Sequence, residues 1–148
     1  MGYISNVKKV EGYIDDWEIR ALKAIGKFID GEAVERCAKD LGDLVANMDW
    51  YVNKAEKFVR NGNKSEHAIY IEKGTGPAAG HGKYMPPKGV LLDWMARQGI
   101  PAEAEYAIRW KIYQQGTNPQ PFLTPAAEEN LGKIEALVKQ VKFANGAD

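Results

Sequence analysis

The stretch Gly42-Asp43-Leu44-Val45-Ala46-Asn47-Met48-Asp49-Trp50-Tyr51-Val52-Asn53 decides the fold, because the apolar period changes across it. After Gly42, Leu44, Ala46, Met48, Trp50 and Val52 fall on one side of an extended chain. Asn47, Asp49, Tyr51 and Asn53 fall on the other. Two-residue alternation marks a strand with one buried face, and hence an antiparallel sheet covered on one side. Lys57 to Arg60 is the expected return strand, ended by the turn-forming Asn61-Gly62-Asn63.

Before this stretch the period is helical. From Asp15 to Leu41 the apolar residues Leu22, Ile25, Phe28 and Ile29, then Ala33, Cys37 and Leu41, recur at helical spacing with charges between them. Asp15 with Glu18 gives a start signal, since an acceptor at the cap and a carboxylate in the first turn meet unpaired N–H groups. Gly26 and Gly31 each cost about 1 kcal/mol relative to Ala inside a helix, which makes Asp30-Gly31 the place to expect a break.

After the strands, Ser65 to Glu72 reads equally as strand or one-turn helix. Gly74 to Gly89 holds five glycines and three prolines and has no period. A loop of that length is normally functional or mobile. Val90 to Gln98 and Ala102 to Gln115 read as helices, the second too rich in Tyr106, Ile108, Trp110, Ile112 and Tyr113 for one narrow stripe. It is therefore expected to be buried broadly or to pack on a neighbour, and Trp94 and Trp110 to be core or subunit-contact residues. At the end, Thr124 reads as an N-cap and Pro125 as a first-turn residue. Leu131, Ile134, Val138 and Val141 form the apolar stripe of that last helix. The expected fold is α+β: a small antiparallel sheet packed by a long N-terminal helix and a C-terminal helix, with a long Gly/Pro-rich loop. Residues 1–148 are read as a single domain, with 1–14 a candidate flexible arm.

Composition bounds the function. The 148 residues carry 20 Lys+Arg and 20 Asp+Glu, a formal net charge of zero, with 45% hydrophobic residues. That is a globular composition, without the basic excess that neutralising nucleic-acid phosphates or an anionic bilayer demands. Near-zero charge favours self-association and hints at an assembly. The zero is uneven, because residues 1–50 carry 7 basic and 10 acidic groups, residues 51–100 carry 8 and 4, and residues 101–148 carry 5 and 6. No apolar run exceeds Ala68-Ile69-Tyr70-Ile71, far short of the roughly 18 residues of a membrane span. Met1 to Asn6 lacks a signal-peptide core, so a cytoplasmic site of synthesis and folding is expected.

Chemical motifs are sparse. Gly74-Thr75-Gly76 with Gly80 and Gly82-Lys83 invites a phosphate-loop reading, yet Tyr84 stands where a Ser or Thr would hold magnesium and Pro77 where the first glycine belongs. His67, His81 and the single cysteine Cys37 are too few for a standard structural zinc site, and the helical period turns Cys37 inward. Glu72 beside the loop is a formal candidate base; an acid there more commonly caps backbone N–H groups. Lys73, Lys83 and Lys88 make the loop basic, and an ordinary solvated loop accounts for them.

Tyr70-Ile71-Glu72-Lys73-Gly74-Thr75-Gly76 is followed about forty residues later by Ile108-Arg109-x-Lys111-Ile112, then Gly116-Thr117 and Pro119-x-Pro121-Phe122-Leu123-x-Pro125-Ala126. In order, spacing and flanking elements this pair of motifs resembles the neck and tail-completion (head–tail joining) proteins of long-tailed bacteriophages, over roughly Asp15 to Val141. The resemblance implies a virion structural protein without catalytic activity, cofactor or metal, forming a homo-oligomeric ring, sixfold in the family. Its implied location is the head–tail junction or the head-proximal tail end, assembled in the host cytoplasm. Implied partners are the head connector and the tail tube or terminator proteins, with transient contact to DNA in the channel and none with a membrane. Under this resemblance Gly74 and Gly76 allow a tight path after Glu72, and Pro119 to Pro125 aims Phe122 into the core. The candidate interface comprises Tyr70, Glu72, Lys73, Gly74, Thr75, Gly76, Lys83, Lys88, Gly116, Thr117, Pro119, Pro121, Phe122 and Pro125. Lys73 departs from the aromatic or apolar residue common there. The alternative function is a nucleic-acid-binding accessory protein using the basic loop around residues 73–88. A small hydrolase would need His67 or His81.

Overall fold

The computed structural model describes residues 7–37 and 42–142. Its longest element, α1 (Val7–Arg36), is one continuous helix. It begins two turns before Asp15, and neither Gly26 nor Gly31 breaks it. Burial overrides the glycine cost, because α1 turns the small residues Ala21, Gly26 and Ala33 inward, where its backbone can approach its neighbours closely. Leu22, Ile25, Phe28 and Ile29 are half-buried, and Cys37, just past the helix, is buried. Leu41 lies outside the described residues.

The next element corrects the strand boundary. Asp43–Ala46 is a short helix, α2, with Leu44 buried, and the strand β1 starts only at Met48–Asn53. Within β1 the alternation holds: Met48, Trp50 and Val52 are half-buried while Asp49 and Tyr51 are exposed. β2 (Phe58–Asn63) pairs with it antiparallel, Trp50 opposite Asn61 and Val52 opposite Val59. Asn61-Gly62-Asn63, expected as a turn, continues this strand. Distant acceptors hold it extended, as Asn61 Nδ2 donates to the Gly26 carbonyl at 2.7 Å and Asn63 Nδ2 to the Leu44 carbonyl at 2.6 Å. The turn lies earlier, where Asn53 Oδ1 accepts the N–H groups of Ala55 and Glu56. Lys57 there has φ +54° and reaches Asp15 at 2.7 Å and Glu18 at 2.5 Å on α1. Both acids hold its ammonium well above the usual lysine range.

α1 packs on both strands and on the C-terminal helices. The latter are two, α6 (Leu123–Glu128) and α7 (Leu131–Gln140), where one was expected. α6 starts one residue before Thr124, behind the fully buried Phe122, so Thr124 is helical rather than a cap. Pro125 still sits in the first turn, where a missing N–H costs nothing. The break falls at Asn130, which is buried and whose Nδ2 donates to Glu32 Oε2 at 3.0 Å and to the Ala126 carbonyl at 3.1 Å. Glu32 also receives Arg36 at 2.6 Å, and that hydrogen bond holds its carboxyl below the usual range. On α7, Ile134, Leu137 and Val138 are half-buried; Leu131, expected in the apolar stripe, is exposed.

By its internal contacts the chain forms two compact units. The first takes the chain up to Ser65 and again from Phe122, and contains the elements above. The second, Glu66–Pro121, is built from α3 (Ala68–Lys73), α4 (Leu92–Arg97), α5 (Glu105–Gln115) and two 3-10 turns, Gly76–Ala79 and Ala102–Ala104. The undecided stretch before the glycine loop is thus helical. Ala68, Met95, Pro86 and Glu105 are its buried residues outside the glycines. The class is α+β, as the sequence led one to expect, with the long N-terminal helix and the small antiparallel sheet, and with two C-terminal helices in place of one.

Candidate functional site

In the second unit the two motif segments meet. Thr75 and Thr117 form an isolated antiparallel bridge, Thr75 N–H donating to the Thr117 carbonyl at 3.0 Å and Thr117 N–H returning to the Thr75 carbonyl at 3.1 Å. Their hydroxyls lie 2.7 Å apart. Three residues before Gly74, the Ile71 carbonyl accepts the Gln120 N–H at 2.8 Å.

Glycine makes this closure possible at two positions. Gly74 and Gly116 have φ of +74° and +76°, in the left-handed region that side chains rarely adopt. A methyl group on Gly116 would fall inside the van der Waals envelope of the Thr75 carbonyl, and one on Gly74 would meet the Thr117 carbonyl and Pro119. The glycines therefore serve backbone-to-backbone approach.

The other candidates separate from this joint. Lys73 ends α3 and is exposed, as are Tyr70, Pro119 and Pro121; Glu72 is half-buried. Lys83 stands against α5, its ammonium 5.5 Å from the Tyr113 ring centroid and 3.3 Å from Gln114 Oε1. Lys88 is exposed beside Gly89, whose N–H donates to the buried Glu105 carboxylate in a short hydrogen bond. Arg109 Nε donates to the Pro86 carbonyl at 2.7 Å, so the buried Glu105 and the half-buried Arg109 of α5 pin both ends of the segment 86–89. Phe122 and Pro125 belong to the first unit, where Phe122 fills the core. The second motif thus straddles the boundary between the units.

One feature escaped the sequence reading. Instead of being buried broadly, α5 carries an outward ladder: Tyr106, 66% exposed, stacks on Trp110, 47% exposed, at 6.4 Å between centroids. Trp110 in turn stacks on Tyr113 at 5.3 Å. Trp94 and Trp110 are therefore not core residues. The 4 and 3 spacing of Tyr106, Trp110 and Tyr113 was the available signal, since it sets all three on one helical face. The mixed apolar residues Ile108 and Ile112 between them concealed it.

Among the described residues no three His, Cys, Asp or Glu side chains come close enough to hold a metal ion, and no helix is long and apolar enough to cross a membrane. His67 and His81 are exposed. Compared with protein-family models, with curated proteins and with solved structures, the chain matches none.

Proposed function

We propose that the chain is a structural protein of a long-tailed phage virion, a tail-completion or neck component that acts by assembling into a ring. The observation that carries this reading is the closure of the two resemblance motifs on one another at Thr75 and Thr117. Residues forty apart in sequence, chosen for their likeness to that family, form a single backbone joint whose glycines leave no space for side chains. A joint of this kind fixes the ends of the intervening segment and offers backbone geometry in place of a reactive group. Exposed Tyr84, Val90, Trp94, Tyr106 and Trp110 in that segment supply the apolar contact surface that assembly uses. The proposed ring, sixfold by the family resemblance, sits at the head–tail junction or head-proximal tail end, between head connector and tail tube or terminator proteins.

The test joins two measurements. Light scattering on purified protein is expected to give a multiple of the 16.5 kDa chain mass, and mass spectrometry of purified tailed particles is expected to find the chain. A protein that stays monomeric and is missing from tailed particles sinks the proposal.

A further inference from the structure

We infer that Asn61-Gly62, inside β2, is a latent self-modification site: docking of the hairpin on α1 blocks its conversion to an aspartyl or isoaspartyl residue, and undocking releases it. Asparagine followed by glycine reacts with its own backbone because glycine, having no Cβ, leaves its nitrogen unshielded. The Gly62 nitrogen attacks Asn61 Cγ, and a bond between them forms as the bond from Cγ to Nδ2 breaks. The proton lost from the Gly62 nitrogen leaves with the amide as ammonia, and water opens the resulting succinimide ring at either carbonyl. Nothing is oxidised or reduced. Among the described residues this is the single asparagine with glycine after it.

The fold holds off each part of this chemistry. Attack needs the Asn61 side chain folded back over the Gly62 nitrogen; instead Asn61 is half-buried, and its Nδ2 donates to the Gly26 carbonyl of α1 at 2.7 Å. The attacking nitrogen is tied as well. Lys64 N–H donates to the Asn47 carbonyl at 2.9 Å, and along an antiparallel ladder hydrogen-bonded pairs alternate with the others. Asp49 and Gly62, two residues along, are therefore also a hydrogen-bonded pair, with the Gly62 proton on the Asp49 carbonyl. Packing accounts for Asn61 and not for Gly62. A Cβ at Gly62 would meet nothing within 4 Å and its φ lies outside the left-handed region, while glycine inside a strand weakens it. A residue that weakens the strand and that no neighbour requires points to the chemistry of the pair. The products cannot return to the docked state. An aspartate at 61 has no N–H to give the Gly26 carbonyl and sets carboxylate oxygens against it. An isoaspartate adds a methylene to the main chain, which pulls Asn63 out of step with the Leu44 carbonyl that its Nδ2 reaches at 2.6 Å. Undocking thus becomes one-way, and a chain whose hairpin has left α1 is retired.

Peptide mapping by mass spectrometry tests the site on the full chain, held in mildly alkaline buffer with and without unfolding urea. The map reads conversion at Asn61 separately from Asn145-Gly146, which lies outside the described residues. The folded chain is expected to convert Asn61 at least about tenfold more slowly than the unfolded one, because the reaction runs only in the opened fraction. Gly62→Ala should slow conversion in urea severalfold and leave the thermal midpoint of the folded chain at or above wild type. Asn61→Asp should melt below wild type. Equal rates with and without urea, a Gly62→Ala chain that melts clearly lower, or an Asn61→Asp chain that melts with wild type overturns the inference.

Discussion

Gly26 and Gly31 lie on the same helix, and the same substitution at each is expected to have opposite signs. Replacing glycine by alanine inside a helix contributes about 1 kcal/mol of intrinsic stability. At Gly31 nothing lies within 4 Å of the added methyl, so that gain is realised. At Gly26 the methyl would stand 2.7 Å from Val59 Cγ2 and 3.0 Å from Trp50 Cδ2, with Trp50 Cε3 closer still. Val59 is β-branched and stiff, and the sheet cannot slide away without stretching the 2.7 Å bond from Asn61 Nδ2 to the Gly26 carbonyl. Overpacking of this kind costs about 1–3 kcal/mol, and the weakened hydrogen bond adds about 1 kcal/mol. The penalty exceeds the propensity gain, leaving Gly26→Ala destabilised by about 1–3 kcal/mol. The two variants should therefore differ by about 2–4 kcal/mol, or roughly 5–12 °C in Tm for a chain of this size. Urea titrations followed by far-UV circular dichroism measure this: the Gly31→Ala midpoint should lie above wild type and Gly26→Ala below, with similar slopes. A Gly26→Ala midpoint at or above that of Gly31→Ala refutes the close approach of α1 to the sheet.

Gly116→Ala combines a left-handed φ with contact on the Thr75 carbonyl, and should cost more than about 2 kcal/mol. Gly80→Ala, with similar φ but open space, should cost only about 1 kcal/mol in the same thermal melts; equal losses would mean the joint is loose. Asp30, held above the ordinary aspartate value of 3.8 by burial and then by the Asp49 charge, stabilises the fold when protonated. That contribution is full below the ordinary value and is lost as pH rises through the elevated one, so Asp30→Asn should melt higher than wild type at neutral pH. Calorimetry across pH should find the gap closing toward acid, and a gap independent of pH would contradict the assignment.

The strand face was legible because one-sided burial writes itself as alternation in Met48, Trp50 and Val52. Its start was not, since Leu44 and Met48 are four apart and satisfy the helical and extended periods alike. Asn61-Gly62-Asn63 carries local turn chemistry, and two side-chain hydrogen bonds from elsewhere in the chain overrule it. The break at Asn130 likewise depends on Glu32, a residue 98 positions away. In the candidate site the glycine motif was readable, while its purpose, two backbones meeting across 42 residues, required the fold. The outward aromatic face was hidden because apolar residues on both sides of α5 obscure which side meets solvent.

The first unit is discontinuous, and this governs the order in which it can fold. Phe122, Ala126 and Asn130, which complete its core, are synthesised only after the whole inserted segment Glu66–Pro121. Closing a flexible loop of about 56 residues costs about 3.5 kcal/mol by the logarithmic length rule. The Ile71–Gln120 hydrogen bond and the Thr75–Thr117 bridge shorten the part left flexible to about eight residues, which lowers that cost by about 2 kcal/mol. Early folding of the insertion thus speeds the docking of α6 on α1, and a nascent chain released before Phe122 keeps the face of α1 that α6 covers open to solvent.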